Sequence, residues 1–398
     1  MWASFYGHPL RPYSKAILGD VFGIGEEYAD ILAYNGSLNL LKGGIECADR
    51  LTTVSPTYAG EILDAWYSHG LDSILNARRF KLSGILNGID TVSYDPETDK
   101  EIFVNYSAAQ PEGKAPNKAA LQKRLGLPVK ADAPLIGIVS RLVQHKGFDL
   151  VKQSLEELLL TSDAQMAVLG SGDFEYESFF AGMAEQYPDR LKQYKGFIPE
   201  LARKIYAGSD IFLMPSKSEP CGLSQMIALR YGSIPVVRET GGLADTVHEL
   251  GVEANGFTFV EYAPEALLAA IDRALVTWRE PGGQRWRALQ RNGMRADLSW
   301  DGAARQYREV YERALAQRPQ SSVVAVAEQS LTAGELLRNT AFVDGERQDG
   351  NPANNYAEAT VTARTLTDLR IVKSALPSLA TAGQQLLYTL QVFNDGPA

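Results

Sequence analysis

Residues Asp210 to Val247 read D-I-F-L-M-P-S-K-S-E-P-C-G-L-S-Q-M-I-A-L-R-Y-G-S-I-P-V-V-R-E-T-G-G-L-A-D-T-V. Ile211 to Met214 form a short apolar run ended by Pro215, the pattern of a strand buried on both faces. The loop after it carries Glu219, and Gly222 opens a helical stretch to Arg230. Ile234 to Val237 read as the next buried strand, from which Thr240-Gly241-Gly242 leads into another helix. Two neighbouring strand ends therefore present a carboxylate and a glycine turn. In open parallel sheets ligands sit outside the carboxyl ends of the strands, and amide groups at a helix N-terminus suit phosphate oxygens.

Working outward, the apolar runs Leu135 to Val139 and Met166 to Leu169 alternate with helical patterns such as Asp149 to Leu160 and Pro264 to Ala274. Strand and helix in alternation imply right-handed βαβ units and a parallel sheet, an α/β protein. The first of these strands delivers Arg141 at its carboxyl end, and Lys146 follows five residues later at the entry to a helix. Both can face one anion, Arg as a bidentate fork and Lys as a compact charge. Gly170-Ser171-Gly172-Asp173 is a short glycine turn after the second strand. Upstream, Leu38 to Ala48 suits a helix that hands over to a strand at Thr53-Val54. Ser55 then caps a helix with Pro56 at its first position. Leu82 to Leu86 reads as a strand ending in Asn87-Gly88, and Lys118 to Leu125 as a helix. After Trp300 the spacing of Ala304, Tyr307, Val310, Tyr311 and Leu315 predicts a final helix.

With 398 residues there is room for two or three cores. A formal net charge of −9 and a pI near 5.2 argue against nucleic acid or an anionic membrane as the main partner. The sequence has no run of roughly 18 apolar residues that would predict a spanning helix, and no basic segment followed by an apolar signal core at its start. Cys47 and Cys221 are the two cysteines, far apart and without zinc-ligand companions, which predicts neither a disulfide framework nor a structural metal. Four histidines and no Asp-x-Asp leave a dedicated catalytic metal site without a sequence signal.

Glu219-Pro220-Cys221-Gly222-Leu223, followed by Thr240-Gly241-Gly242-Leu243-Ala244-Asp245-Thr246, resembles the bacterial glycogen synthases and plant starch synthases. The resemblance continues in Thr53-Val54-Ser55-Pro56-Thr57-Tyr58-Ala59, Gly84 to Asp90, and Ser140-Arg141-Leu142 with Lys146-Gly147, and covers roughly residues 35–315. It implies two doubly wound Rossmann-like domains facing a cleft, the glycosyltransferase-B arrangement. It also implies transfer of glucose, with retention, from ADP-glucose to the non-reducing end of an α-1,4-glucan, and no cofactor, ADP-glucose being a substrate. On this resemblance Arg141 and Lys146 hold the diphosphate, and Glu219 hydrogen-bonds the donor sugar. Gly170 and Gly172 belong to the donor side, Phe197 lies against the base, and Cys221, Gly222 and Leu223 sit near the sugar. Thr240, Gly241, Gly242 and Leu243 offer amide donors to phosphate, and Asn87 lines the cleft. For Phe197 core packing is the competing reading, and for Cys221 a small buried packing residue is the simplest one.

Compared with that family, the chain is expected to begin late within the first domain, since residues before Gly36 match neither its lysine-glycine-glycine loop nor its histidine-asparagine segment. The expected division is 1–130 as an incomplete acceptor-side domain, 131–317 as the nucleotide-sugar domain with a crossover helix at 300–317, and 318–398 as linker and partial β-sandwich. The last part is rich in Thr, Ala, Val and Asn, alternates at Leu386, Tyr388, Leu390 and Val392, and resembles immunoglobulin-like repeats of bacterial surface proteins. That tail conflicts with the cytoplasmic location the synthase resemblance implies. Two other functions stay open: another retaining nucleotide-sugar transferase of the same fold, and a noncatalytic glycan-binding surface protein. Oligomeric state has no sequence signal.

Overall fold

The computed structural model describes residue 25, residues 28–35 and 37–317, and five strands between 324 and 394. His8 and most of the segment before Gly36 therefore lie outside the described residues, as do Asn351 to Asn355 and the turn after Asn394. The chain divides into Met1–Leu315 and Ala316–Ala398.

The first unit opens with α1 (Ala29–Leu32), the short pair β1 (Ala33–Tyr34) and β2 (Ser37–Leu38), and α2 (Leu40–Cys47). Asn39 caps α2 by accepting from the Lys42 amide at 3.0 Å. Next come β3 (Leu51–Thr53), α3 (Pro56–Glu61), α4 (Asp72–Ala77), β4 (Leu82–Gly84) and α5 (Ala115–Leu125). β3 and β4 pair in parallel, and the Ser55 side chain caps α3 by accepting from the Tyr58 amide. The helix read from Lys118 starts earlier, at Ala115, because Pro116 fits a first turn where its missing N–H costs nothing.

From Leu135 to Phe259 strand and helix alternate, and three helices follow. β5 (Leu135–Val139), α6 (Phe148–Thr161), β6 (Gln165–Gly170), α7 (Phe174–Gln186), β7 (Leu191–Lys195), α8 (Pro199–Gly208), β8 (Ile211–Met214), α9 (Ser224–Arg230), β9 (Ile234–Arg238), α10 (Gly241–Thr246) and β10 (Phe257–Phe259) precede α11 (Pro264–Trp278), α12 (Gln284–Arg295) and α13 (Trp300–Gln317). The six strands form one parallel sheet in the order β10-β9-β8-β5-β6-β7. Alternate residues enter two cores. Ile136, Ile138, Val168, Leu213 and Val236 face α6, α7 and α11, whereas Leu135, Ala167, Leu169, Phe212 and Val237 face α5, α8 and α9. Burial on both faces is why these strands read as continuous apolar runs. The sequence missed β7 and β10: Leu-Lys-Gln-Tyr-Lys carries too little apolar character, and Phe-Thr-Phe is too short.

The chain winds from β5 towards β7 and then returns to lay β8, β9 and β10 on the other side. The switch point lies between β5 and β8. Those two strands pair only at Ile136–Ile211 and Gly137–Phe212, so their carboxyl ends part and leave a crevice.

The helix expected after Trp300 is present as α13, and Tyr307 and Val310 of the expected face pack with Ala303 on Ile85, just beyond β4. Ala304, Tyr311 and Leu315 are exposed, so the buried face is narrower than the spacing predicted. In the second unit, 324–326, 369–376 and 387–394 form an antiparallel sheet, and 336–342 pairs antiparallel with 356–362. Among the described residues no helix is long and apolar enough to cross a membrane.

Helix α3 is fastened to α10 by Asp245, whose carboxylate accepts from the Ser55 hydroxyl and, at 2.6 Å, from the Thr57 hydroxyl. Asp245→Ala is expected to cost about 1.5–3 kcal/mol, the worth of hydrogen bonds to a charged group. Urea unfolding measures it, and a loss below about 0.5 kcal/mol would show that the fastening carries no weight.

Candidate active site

At the switch point the loop after β5 meets the loop after β8. Lys146 donates to Glu219 Oε2 at 2.6 Å, and Ser216 Oγ donates to the same oxygen at 3.0 Å. Glu219 is buried, and its Oε1 has no protein partner among the described residues. Gly147 makes this meeting possible. Its φ is +81°, and a Cβ there would lie 2.0 Å from the Pro215 carbonyl oxygen. The two loops are further tied by the Lys217 amide donating to the His145 carbonyl at 3.0 Å.

Arg141 stands exposed at the end of β5, and its guanidinium makes no hydrogen bond or ion pair with the described residues. A free guanidinium and an ammonium held by one carboxylate thus flank the crevice. His145 between them has its pKa lowered by burial, then by the charges of Lys146 and Arg141, which favours the neutral imidazole.

The glycine turn after β6 also borders the crevice. A Cβ at Gly170 would meet the Ser140 carbonyl at 2.0 Å, and one at Gly172 the Leu142 carbonyl at 2.2 Å, so β5 and β6 end in contact. Phe197 follows β7 and is 86% exposed, which removes the core-packing reading and leaves an aromatic face open beside the strand ends. Cys221 is buried and its thiol is pushed up to about 11, first by burial; the Asn87 backbone donates to it. Asn87 therefore lies against the Glu219 loop. Gly222 adopts φ +69°, and Leu223 is half exposed.

The turn from Thr240 to Leu243, expected to offer amide donors to phosphate, meets partners within the protein. The amides of Gly241, Gly242 and Leu243 are already engaged. The Gly241 amide and the Thr240 hydroxyl both donate to Glu61 Oε1, at 3.0 and 2.9 Å. The Gly242 amide donates to the Glu219 carbonyl at 3.1 Å, and the Leu243 amide to Thr240 at 3.0 Å. The glycines serve close packing instead: a Cβ would approach the Glu219 carbonyl to 2.1 Å at Gly241, and the Cys221 carbonyl to 1.9 Å at Gly242. The turn thus supports the carboxylate loop. Glu61 had no signal in the sequence, since its partners lie about 180 residues away.

Arg238, buried at the end of β9, braces that loop from the other side by donating to the carbonyls of Ser216 and Lys217. Among the described residues no three His, Cys, Asp or Glu side chains converge as a metal site would require. Arg141 and Lys146 are the cationic side chains that the loop after β5 brings to the crevice.

A parallel sheet wound in two directions, with a guanidinium, an ammonium and a carboxylate at its switch point, defines an open α/β fold, and the comparisons place that fold in the glycosyltransferase-B class. Comparison with known proteins agrees. Residues 122–286 match the family model of glycosyl transferases group 1, and residues 10–77 that of the starch synthase catalytic domain. Glycogen synthase of Bacillus licheniformis is 47% identical over 306 residues, covering 76% of this chain and 63% of that protein. The Syntrophotalea carbinolica enzyme is 50% identical over 287 residues, covering 71% and 59%. The catalytic domain of starch synthase IV from Arabidopsis thaliana, solved with ADP and acarbose, superposes with a TM-score of 0.71 at 36% identity, over 77% of this chain and 64% of that one. The chain belongs to the glycogen synthase and starch synthase family. It spans about three-fifths of the length of the curated relatives it matches. The match from residue 10 also extends the likeness further forward than the motifs from Asn35 had suggested.

Two measurements check the site's electrostatics. At pH 8 the exposed Cys47 is expected to react with an aromatic disulfide at once and Cys221 only on unfolding, because its thiol ionises near 11. Rapid reaction of both would contradict the burial. Glu61 has a pKa raised above 4.5, first by desolvation and against the pull of Gly241 and Thr240, and its Oε2 is buried without a partner. Between the unfolded value and this higher one the folded state binds more protons, so stability falls as pH rises through that window. Glu61→Gln, which keeps the acceptor, should lack this fall when melting midpoints of both proteins are followed from pH 4.5 to 8. Parallel curves would refute the assignment.

Proposed function

We propose that this chain carries the donor machinery of a glycogen or starch synthase. The reaction moves glucose from ADP-glucose to the non-reducing end of an α-1,4-glucan with retention. The observation that carries the reading is the Lys146–Glu219 pair beside an unpaired Arg141 at the switch point. In such a transfer the bond from the sugar C1 to the β-phosphate breaks, a glucan hydroxyl oxygen bonds to C1 and loses its proton, and ADP leaves. Negative charge grows on the phosphate and positive charge on the sugar ring. Arg141 is free to meet the phosphate, and Lys146 reaches both the phosphate side and Glu219. The free Oε1 of Glu219 is left to accept from a sugar hydroxyl, and its charge suits the developing cation. Gly170, Gly172 and the exposed ring of Phe197 take the nucleotide side. Cys221 packs, since a thiol that ionises near 11 is a poor nucleophile at neutral pH. The preference for ADP over UDP rests on family membership and on the ADP bound by the Arabidopsis relative. The site of action that fits this chemistry is the cytoplasm.

Arg141→Ala and Lys146→Ala are each expected to weaken ADP binding at least about tenfold and, wherever glucosyl transfer to glycogen is measurable, to slow it roughly 100- to 1,000-fold. Their melting midpoints should stay near that of the unaltered protein. Calorimetry with ADP and with UDP on the same preparations tests both residue roles and donor preference. Undiminished ADP binding in both variants would overturn the reading.

A further inference from the structure

Four neighbouring strands of the sheet, β10, β9, β8 and β5, end on the side where Lys146 and Glu219 meet. Lys146 follows β5, Glu219 follows β8, and Arg238 at the end of β9 braces the Glu219 loop. The loop after β10, which leads into α11, carries Tyr262. This side chain reaches across the ends of the other strands and touches the supports of both members of the ion pair.

The hydroxyl works on the Lys146 side. Tyr262 is half-buried, and its hydroxyl donates to Asp149 Oδ1. Asp149 stands in the first turn of α6, whose N-cap is Gly147, the residue after Lys146. A bond to the second residue of a helix fixes where the chain enters it, and here the chain enters from Lys146. Burial raises the pKa of the phenol, and the bond to the Asp149 carboxylate raises it further, so the hydroxyl keeps its proton and remains a donor.

The ring works on the Glu219 side. The Lys217 ammonium and the Arg238 guanidinium each lie 5.7 Å from its centre, within the range of a cation–π contact. Lys217 belongs to the Glu219 loop, and Arg238 holds that loop by the carbonyls of Ser216 and Lys217. Arg238 also donates to the Val260 carbonyl at 3.3 Å, two residues before Tyr262, so one guanidinium serves the tyrosine loop and the glutamate loop together. The ring packs on the core beneath α6 and α11 as well. A change in stability alone therefore cannot separate positioning from packing, whereas a change in the ion pair can.

We propose that Tyr262 is a positioning residue for the Lys146–Glu219 pair, holding the start of α6 through Asp149 and the Glu219 loop through Arg238 and Lys217. Its bearing on glucosyl transfer rests on the donor reading above, but the state of the pair is measurable without a ligand. The Lys146 Nζ resonance, assigned by its loss in Lys146→Arg, is recorded by nitrogen NMR in the 398-residue protein, in Glu219→Gln, in Tyr262→Phe and in Asp149→Asn. Melting midpoints and calorimetric titration of ADP accompany each variant. Tyr262→Phe removes only the hydroxyl and is expected to move the resonance towards its position in Glu219→Gln. It should weaken ADP roughly threefold, less than the loss from removing Lys146 itself. Asp149→Asn keeps an oxygen that accepts from the hydroxyl and should give a smaller displacement. Added to Tyr262→Phe it should change little more, as expected of two partners in one bond. A Lys146 resonance unmoved in Tyr262→Phe, with or without a lower melting midpoint, overturns the positioning role, and ADP binding by the unaltered protein then leaves the donor reading standing. A displaced resonance in a protein that does not bind ADP upholds the positioning of the pair and overturns the donor reading. An unmoved resonance without ADP binding overturns both.

Discussion

The close approach of three glycines to the backbone of one loop is the constraint on which this site depends. The segment Pro215 to Cys221 is gripped on both flanks: Gly147 sits against the Pro215 carbonyl, Gly241 against that of Glu219, and Gly242 against that of Cys221. Any side chain at these positions would have to displace backbone, because the atoms in the way are carbonyl oxygens about 2 Å from the Cβ position. The loop therefore has little freedom to carry Glu219 elsewhere. Lys146, one residue before Gly147, is brought to it as a consequence. A carboxylate placed by backbone contacts keeps its position when its ion-pair partner turns towards a ligand.

The same turn joins the front of the chain to the sheet. Two carboxylates cross the junction in opposite directions. Asp245 on α10 accepts from Ser55 and Thr57 at the start of α3, while Glu61 at the end of α3 accepts from Thr240 and Gly241 at the start of α10. Among its described residues the front contributes the pair β3 and β4 and a small cluster around Ile45, Leu71, Ile74 and Leu75, and this exchange ties it to the sheet. One bond goes unmade, at Glu61 Oε2, and the raised pKa of that carboxyl follows from its burial.

The strand runs ending at Val139, Leu169, Met214 and Val237 were legible because a strand buried on both faces leaves a continuous apolar signature, and Arg141, Lys146 and Glu219 were legible because they follow such strands. β7 was hidden because Lys192 and Gln193 stand where an interior strand would be apolar, and β10 because three residues give no period. The Thr240 to Leu243 turn was legible as a place of close backbone approach, while the partners its amides meet within the protein were not. Sequence reveals that a glycine is required, but it does not reveal what comes near. Glu61 and Tyr262 were invisible for a related reason, since each acquires its meaning from a partner far away in the chain. Lys114 is the clearest case. It is a lysine in a polar stretch, yet it is buried and donates to the carbonyls of Tyr206, Ala207 and Tyr231.

The charges of the crevice follow an order that suits group transfer. Glu219 and Lys146 neutralise each other, and His145 is held towards its neutral form, which leaves the Arg141 guanidinium as an unpaired charge among the described residues at the end of β5. An arriving diphosphate would therefore meet an unpaired guanidinium first, at little cost in desolvation because Arg141 is exposed. On the donor reading proposed above, Lys146 would gain a second anion once a phosphate is in place, and sharing the ammonium would free part of the Glu219 charge. On that reading the freed charge would become available beside the sugar at the stage when C1 turns positive. An electrostatic stabiliser that strengthens as the leaving group arrives acts on the transition state more than on the empty site, which is the condition for it to accelerate the reaction.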